Sequence, residues 1–291
     1  MKDYLDELRR LLEERDYADI DDTMSYFEEM INDRIDSGES EEEIFEEMAS
    51  PLEVAEELCR DIPEGKKKES DKGRKVYYEA EIRSIDIDVA SYDVRIYPAE
   101  GKDCILEYDT SRFLDLDVSF DGRELEISQN KVFSSLFNLG RSESGVIDLR
   151  IPMDTVRECE IGTYSGDIAV YDMNLREAEI KTVSGDLELK NLYAEELEMS
   201  TVSGDVSAVQ VQSREINAET VSGEISLEYV LTDEIDISTV SGDVDLLIEG
   251  AKEEYDIDIS KLRHSESYKG RGDKELSVST VSGKVRYSFT D

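Results

Sequence analysis

The sequence predicts a mainly β protein, a parallel two-sheet β-solenoid of 19-residue coils (of the β-helix or β-roll type), preceded by a small all-α module. Two observations carry this prediction. The phrase Thr-Val-Ser-Gly-Asp, or a close variant, returns at a fixed period through the second half of the chain. The N-terminal segment, 1–60, instead shows apolar side chains at helical spacing, punctuated by helix-capping residues.

The repeated phrase begins at evenly spaced threonines. They are Thr163, Thr182, Thr201, Thr220 and Thr239, and a sixth copy begins at Thr280. The interval before the sixth copy is longer and equals two periods plus three positions. A fixed period of this size is the signature of stacked repeats, in which each coil buries its apolar side chains against its neighbours.

Apolar residues occupy fixed places around each threonine. The positions four and two before it, and five and seven after it, are apolar, as in Ala178, Ile180, Leu187 and Leu189. This alternation predicts two short strands per coil whose alternate side chains face one interior. The Ser-Gly step is expected to turn the chain, with glycine supplying a conformation that other residues resist. The predicted turn residues are Ser165, Gly166, Ser184, Gly185, Ser203, Gly204, Ser222, Gly223, Ser241, Gly242, Ser282 and Gly283.

The fifth position of the phrase forms a ladder of like charges. Its members are Asp167, Asp186, Asp205, Glu224 and Asp243. Stacked coils would place them about 4.8 Å apart, so hydrogen bonds from the turn's own N–H groups or from stacked Ser and Thr hydroxyls are expected to compensate. Cation binding is the alternative, because calcium-binding β-rolls also stack Gly-x-Asp turns, although the second glycine and second acid of that motif are missing. Lys284 ends the ladder, as suits a terminal cap.

The composition excludes several classes of function. The formal net charge is -40, which disfavours direct binding to nucleic acid or to an anionic membrane and favours basic proteins or cations. His264 is the only histidine, so histidine-based triads and multi-histidine metal centres are excluded. Cys59, Cys104 and Cys159 lie far apart and form neither a disulfide framework nor a zinc site. We therefore expect no enzyme, catalytic residue or cofactor.

The N-terminal segment, 1–60, is predicted to form four short helices. The first spans Asp3 to Arg15 and the second Ile20 to Asp36, and capping boxes at Ser40 and Ser50 open the third and fourth. The apolar side chains expected to be buried are Tyr4, Leu5, Leu8, Leu11, Leu12, Met24, Phe27, Met30, Ile31, Ile35, Ile44, Phe45, Met48, Leu52, Ala55 and Leu58. In a module this small, the helices either cover one another or complete their stripes with a partner or by self-association.

A charged linker at residues 61–75 and a solenoid domain at residues 76–291 follow. The linker is basic, and a second possibility is that it folds back on the acidic module or the acidic coils. Regular coils occupy about residues 157–250, and the terminal coils are atypical. Before them, Ala90 to Val94 reads as a degraded first copy of the phrase, and Asp121-Gly122 as a hairpin turn between two strands.

Residues 132–140 interrupt the strand pattern with an apolar loop. Such a loop either tucks against the stack or, if exposed, offers a contact patch on an otherwise acidic surface. The candidate partner contacts are Phe133, Leu136, Phe137 and Leu139.

The N-terminal module resembles the HAAS family, a helical signalling domain of bacterial proteins. The resemblance rests on Tyr26 to Glu29, Ile35 to Gly38, Ser40 to Phe45 and Ala49 to Ala55. It implies a docking role, since family members are commonly associated with PadR-type winged-helix repressors and many carry transmembrane helices after the module. Here no stretch of about 18 apolar residues follows and no N-terminal apolar core suits a signal peptide, so a cytoplasmic location is expected.

The 19-residue coil and its Thr-Val-Ser-Gly-Asp turn resemble a bacterial β-strand-repeat family of unknown function, often labelled "putative adhesin". The similarity covers about Val76 to Phe289. Together the two resemblances imply a non-enzymatic scaffold whose helices dock a regulatory partner, such as a PadR-like repressor or an envelope-stress regulator, and whose solenoid is a binding surface. A surface-associated adhesin or ligand-binding protein and a cation-binding β-roll are the alternatives.

Overall fold

The computed structural model describes residues 2–15, 71–79, 81–110, 116–129, 144–152, 155–262 and 264–290, together with separate positions between residues 17 and 55. The chain divides into two compact units, of which the larger comprises Ser70–Asn130 and Glu143–Asp291. Each unit has its own buried apolar cluster.

The larger unit is built from strands, which confirms the mainly β prediction. In chain order they are β1 Asp71–Tyr77, β2 Ser84–Val89, β3 Tyr92–Pro98, β4 Cys104–Thr110, β5 Leu116–Phe120, β6 Glu124–Gln129, β7 Gly145–Ile151, β8 Glu158–Thr163, β9 Ile168–Tyr171, β10 Glu177–Thr182, β11 Leu187–Thr201, β12 Val206–Ser222, β13 Ile225–Val230, β14 Glu234–Ser241, β15 Val244–Glu249, β16 Tyr255–Lys261, β17 His264–Tyr268, β18 Lys274–Ser282 and β19 Val285–Thr290. A short 3₁₀ turn, Lys252–Glu254, precedes β16.

Equivalent residues of successive repeats pair with one another in parallel. Thr163 is in register with Thr182, Thr201 with Thr220, and Thr239 with Thr280. The sixth copy therefore stacks directly on the fifth, and the longer interval before it is one coil step that carries an insertion. The insertion supplies β16 and β17, and β16 pairs with the other edge of β18.

The pairings form three rows along the stack. The first row contains the strands that end at the repeat threonines, with β2, β6 and β16, and the second contains the strands that follow the Ser-Gly step, with β3 and β7. A short third row pairs Leu192–Ala194 with Val211–Ser213 and continues as single bridges. The prediction of two separate sheets is not confirmed, because β11 and β12 run through all three rows and the described strands join into one 19-stranded sheet.

The inward-facing side chains form a continuous apolar core. Ala178, Ile180, Leu187 and Leu189, which the alternation assigned to the interior, are each at most 1% exposed. Cys104 and Cys159 are buried free thiols, and burial raises the pKa of each to about 12. Both are therefore protonated and unreactive at neutral pH.

Glycine in the repeated phrase serves close stacking, and the predicted conformational role is wrong. Positive φ values among the described glycines occur at Gly122 and Gly250, outside the repeat turns. A Cβ added at Gly204 would lie 1.9 Å from the carbonyl oxygen of Gly185, and one at Gly185 would lie 2.0 Å from that of Gly166. At the glycine position, neighbouring coils therefore lie too close together for any side chain.

The N-terminal end of the stack is closed by atypical strands. Val89 in β2 pairs with Thr163 and Val94 in β3 with Ile168, so Ala90 to Val94 occupy, in the first coil, the positions of Tyr164 to Ile168. Outside this coil, β1 and β4 pair antiparallel, and β5 and β6 form the hairpin whose turn contains Gly122 at φ +102. These strands cover one end of the core.

Part of the predicted linker belongs to this unit. β1 begins at Asp71, so residues 71–75 lie in a strand, where Arg74 forms an ion pair with Glu107 of β4 at 3.2 Å. These residues fold onto the acidic repeat unit, which was the second possibility for the basic segment. Residues 61–70 lie outside the described part of the chain.

In the N-terminal unit the structure describes one complete helix, α1 Lys2–Glu13, which confirms the first predicted helix. Leu5, Leu8, Leu11 and Leu12 are buried, with Phe27, Ile31 and Ile44 in the same cluster. Leu52 was expected to be buried and is 47% exposed. Ile20 and Ser50, where predicted helices 2 and 4 begin, are described, whereas the bounds Asp36 and Ser40 lie outside the described residues, as do Met30, Ile35, Phe45 and Leu58. No helix among the described residues is long and apolar enough to cross a membrane.

The stacking contact can be tested by adding one methyl group. Gly204→Ala should lower the free energy of unfolding by about 3 kcal/mol, the upper end for overpacking, because the clash is with backbone. Gly101→Ala is the matched control, since a Cβ there meets nothing within 4 Å, and should stay within about 0.5 kcal/mol of wild type. Urea unfolding measures both, and equal stability of the two variants would contradict the close-stacking role.

Candidate functional site

Four carboxylates of the acidic ladder accept hydrogen bonds from backbone N–H groups. Asp167 Oδ1 accepts the N–H of Asp186 at 2.9 Å, and Asp186 Oδ1 accepts the N–H of Asp205 at 2.8 Å. Asp205 Oδ1 accepts the N–H of Glu224 at 2.7 Å, and Asp243 Oδ1 that of Lys284 at 2.9 Å. The donors belong to the next coil rather than to the same turn. Each of these carboxylates therefore ties two coils together.

The threonine hydroxyls add a second link between coils. Thr182 Oγ1 donates to the Gly166 carbonyl at 3.2 Å, and Thr201 Oγ1 to the Gly185 carbonyl at 3.2 Å. The hydroxyl therefore satisfies the carbonyl that the neighbouring glycine approaches. In the last two coils, the Thr239 and Thr280 hydroxyls are buried without a hydrogen-bond partner among the described residues.

Basic residues neutralise the C-terminal end of the ladder. Arg286 forms ion pairs with Asp243, at 3.3 Å, and with Asp245. The backbone hydrogen bond from Lys284 lowers the pKa of Asp243, and the Arg286 guanidinium lowers the pKa of Asp245. A hydrogen bond with Asp245 instead raises the pKa of Glu224. Within the part of the chain that the structure describes, no three His, Cys, Asp or Glu side chains are grouped as metal ligands.

A second set of acidic columns covers the outer side of the first row. Outward-facing residues of successive strands align in register, so that like side chains become neighbours about 4.8 Å apart. We call this surface the acidic face. Its outer column is Glu158, Glu177, Glu196, Glu215, Glu234 and Glu275, and its middle column is Asp86, Glu160, Glu179, Glu198, Asn217, Asp236 and Ser277.

Few cations compensate the acidic face. The ion pairs that the structure describes on it come from Arg176, Lys181 and Arg214, and their partners are Glu158, Glu177, Glu179, Glu196, Glu198 and Glu215. Desolvation, followed by the charges of neighbouring acids, raises the pKa values of Asp86 and Glu160. The face is thus a surface of concentrated negative potential.

The outer side of the second row is mixed by comparison. One of its in-register columns combines Lys190, Val209, Glu228 and Leu247. On the same side, the ring of Tyr97 stacks on that of Tyr171, with the ring centroids 5.4 Å apart. Carboxylates here alternate with apolar and basic side chains. The negative charge is therefore organised by side, and the second row offers matched control positions.

A third surface follows the second residue of the repeated phrase. We define the valine column as Tyr164, Val183, Val202, Val221, Val240 and Val281. Adjacent members are joined through backbone bonds, as where the Ser203 N–H donates to the Val183 carbonyl at 3.0 Å. Val183 is half-buried and the other five are exposed, with values of 45% to 60%.

Sequence reasoning named neither the valine column nor the acidic face. Both were readable, because position 2 of the phrase and the residues between the buried strand positions must point outward once the interior positions are assigned. The predicted contacts Phe133, Leu136, Phe137 and Leu139 lie outside the described residues. The predicted Ser-Gly pairs lie at the corner between the first and second rows.

Replacing a ladder carboxylate tests its role. Asp186→Ala leaves the Asp205 N–H without its acceptor and should cost about 1 kcal/mol of unfolding free energy, whereas Asp186→Asn keeps an acceptor oxygen and should stay close to wild type. Added calcium should leave the melting temperatures of the wild type and of both variants unchanged. A calcium-dependent rise in wild type that Asp186→Asn abolishes would instead establish the cation ladder.

Titration tests the repulsion on the acidic face. Folding raises the pKa values of Asp86 and Glu160, so their ionised forms oppose folding. This penalty shrinks as pH falls from 7 through the raised values towards the ordinary carboxyl pKa of about 4, and the melting temperature should rise. Below about pH 4 stability should fall, as Asp243 and Asp245, whose pKa values are lowered by folding, become protonated.

Glu160→Gln isolates one contribution to this profile. It should raise the melting temperature at pH 7 by about 1–2 °C and flatten the rise between pH 7 and 5, because Glu160 is in register between Asp86 and Glu179. Glu228→Gln is the control, since its in-register neighbours are Val209 and Leu247. Equal shifts in the two variants would show that only net charge matters.

A family model matches the N-terminal segment of this chain. The HAAS family model matches residues 3–57. The comparison with curated proteins gave no match. Several solved structures are similar to this chain at low identity, and identities of this size say nothing of ligand or partner.

Three of these structures illustrate the range. A "putative adhesin" from Bacteroides fragilis is 16% identical, with a TM-score of 0.48, over 75% of this chain and 97% of that chain. A "putative cell adhesion protein" from Clostridium sporogenes is 12% identical, with a TM-score of 0.36, over 76% and 100%. A "putative lipid binding protein" from Parabacteroides distasonis is 15% identical, with a TM-score of 0.37, over 75% and 96%.

The repeat domain itself is matched by a family model. The Toastrack DUF4097 model covers residues 82–289, which include β2–β18 and most of β19. This match spans more than half of the chain, and the chain belongs to the Toastrack DUF4097 family.

Proposed function

We propose that this protein is a non-enzymatic scaffold whose stacked repeat domain binds a basic protein partner through the acidic face. The observation that carries this proposal is the in-register alignment of carboxylates on one side of the stack. Repetition multiplies a weak contact, because successive coils offer similar carboxylates at the same spacing. Such a surface attracts and orients a positively charged partner.

The engagement of the ladder carboxylates by backbone N–H groups favours this reading over a cation-binding β-roll. Each of Asp167, Asp186, Asp205 and Asp243 uses one oxygen to accept a bond from the next coil. Their repetition is accounted for by coil stacking. The carboxylates of the acidic face have no equivalent backbone bonds among those that the structure describes. Those that also lie outside its described ion pairs, Asp86, Glu160, Glu234, Asp236 and Glu275, are the groups most available to a partner.

The N-terminal unit is proposed to dock a regulatory protein, such as a PadR-like repressor, with self-association through residues 1–60 as the alternative. The HAAS match supports a signalling module. The exposed side chain of Leu52, next to the buried Val54 and Ala55, is an apolar contact available on this unit. A cytoplasmic location belongs to this proposal, and finding the protein in a cell-envelope fraction would instead favour the surface-adhesin alternative.

Affinity capture with full-length bait tests the proposal. The acidic-face variant Glu160→Gln, Glu234→Gln and Asp236→Asn should reduce partner recovery by about tenfold, because it removes three carboxylates to which the described residues supply no ion pair. The control Glu188→Gln, Glu228→Gln and Glu249→Gln makes the same change of charge on the second row and should retain the partner. Recovery should also fall with added salt.

A further variant, Leu52→Ser, addresses the N-terminal unit. It should reduce recovery of a transcription regulator and leave the partner of the acidic face in place. If the acidic-face and second-row variants lose the same partners equally, the proposed binding surface is wrong. If envelope components are recovered in place of a regulator, the docking role is wrong.

A further inference from the structure

We propose that the valine column is a docking ridge for a basic amphipathic helix of a partner protein. This inference rests on the proposed scaffold function and deepens it, since it names the contact surface and the kind of segment that binds there.

The first argument is concentrated apolar exposure. Tyr164, Val202, Val221, Val240 and Val281 are 60%, 45%, 45%, 48% and 51% exposed. Other large exposed apolar side chains in the described repeat unit, Tyr78, Tyr193, Tyr229 and Leu262, do not belong to this column. A continuous apolar stripe on a surface this charged is unusual for a soluble domain and marks an interaction site.

The second argument is that the fold does not require valine at these positions. The side chain lies outside the core, and its backbone carbonyl does the structural work by accepting the serine N–H of the next coil, as from Ser222 to Val202 at 2.9 Å. A threonine would keep the β-branched shape and the strand preference. The apolar surface is therefore free to serve a partner.

The third argument is length and spacing. Six members at five steps of about 4.8 Å give a ridge of about 24 Å. An α-helix presents one apolar residue per turn of about 5.4 Å on one face, so about 16 residues cover this ridge with near-matching spacing. An extended segment presents side chains on one face about 6.8 Å apart and loses register sooner.

The fourth argument is charge, which selects the occupant. In each repeat from the first to the fifth, the ladder acid lies three positions after the second residue of the phrase, as Asp205 does after Val202. On the other side of the valine column, the neighbouring outward column combines Gly162, Lys181, Ser200, Glu219, Ser238 and Ser279, and the acidic face lies beyond it. A helix on this ridge therefore has the ladder carboxylates along one flank and the acidic face beyond one intervening column on the other, so Lys or Arg beside its apolar stripe would match the surrounding charge. A second copy of the chain is disfavoured, because it brings two acidic ladders together and carries a net charge of -40 itself.

Fluorescence anisotropy with a defined probe tests the proposal on the full-length protein. The probe is a labelled 18-residue Leu/Lys peptide with an amphipathic helical pattern, at physiological salt. A peptide of the same composition in scrambled order carries the same charge without the apolar stripe. The patterned peptide should bind at least about tenfold more tightly, and equal binding of the two peptides, or no binding, would overturn the proposal.

The matched variants locate the site. Val202→Thr, Val221→Thr and Val240→Thr together should weaken binding of the patterned peptide about tenfold. The control removes apolar surface elsewhere through Tyr193→Thr, Val209→Thr and Leu262→Thr, and should change affinity less than about twofold. Val202→Ile with Val221→Ile enlarges the ridge and should tighten binding, which keeps the test decisive if the threonine variant is unstable.

Two outcomes separate this inference from the proposed function. If the acidic-face variant loses the captured partner while the threonine variant binds both partner and peptide normally, the ridge is wrong and the scaffold function stands. If neither variant reduces recovery of the partner, both the proposed scaffold function and the docking ridge are wrong. If sedimentation shows that the wild type is a dimer and the threonine variant is a monomer, the ridge binds a second copy of the chain and the basic-helix proposal is wrong.

Discussion

The close parallel stacking of one coil on the next is the constraint on which the rest of this structure depends. Backbone pairing at a 19-residue offset brings the Gly204 backbone so near the Gly185 carbonyl that a Cβ would lie 1.9 Å from that oxygen. The threonine and the aspartate of the repeated phrase also serve this contact between coils. The threonine hydroxyl donates to the crowded carbonyl, and the aspartate accepts the N–H of the next coil.

Stacking also determines the surface. Whatever residue occupies an outward position is copied along the stack, so single carboxylates become columns and single valines become a ridge. Such columns repel: desolvation is the main cause of the raised pKa of Glu160, and the charges of Glu179 and Asp86 raise it further. The core and the backbone pairing tolerate this cost because the repulsion lies in high-dielectric solvent, where like-charge neighbours cost about a few tenths of a kcal/mol. A surface kept at a cost to stability is a reasonable place to look for function.

The interior positions of the repeat domain were readable from the sequence, and the architecture around them only partly. Alternation around each threonine identified Ile180 and Leu187 as buried, since period-two burial is a local property of strands. The third row was not predicted, because its strand segments are short and show no extended alternation of apolar and polar residues. Counting periods left the interval before the sixth copy uninterpreted, because the count cannot show that Thr280 stacks directly on Thr239. Leu52 was misassigned because helical spacing does not say which side of a short helix is covered.

By itself, the sequence determined the period, the identity of the repeated turn, the mainly β class and the acidic character of the protein, all of which are encoded in local residue order. Only the tertiary structure decided what the repeated residues do. The phrase requires glycine because equivalent positions of neighbouring coils approach closely. The ladder aspartates accept N–H groups from the next coil, and the columns of glutamate and valine likewise form between equivalent positions of neighbouring coils. These relationships depend on the distance between coils, and that distance is set by backbone pairing that no single repeat contains.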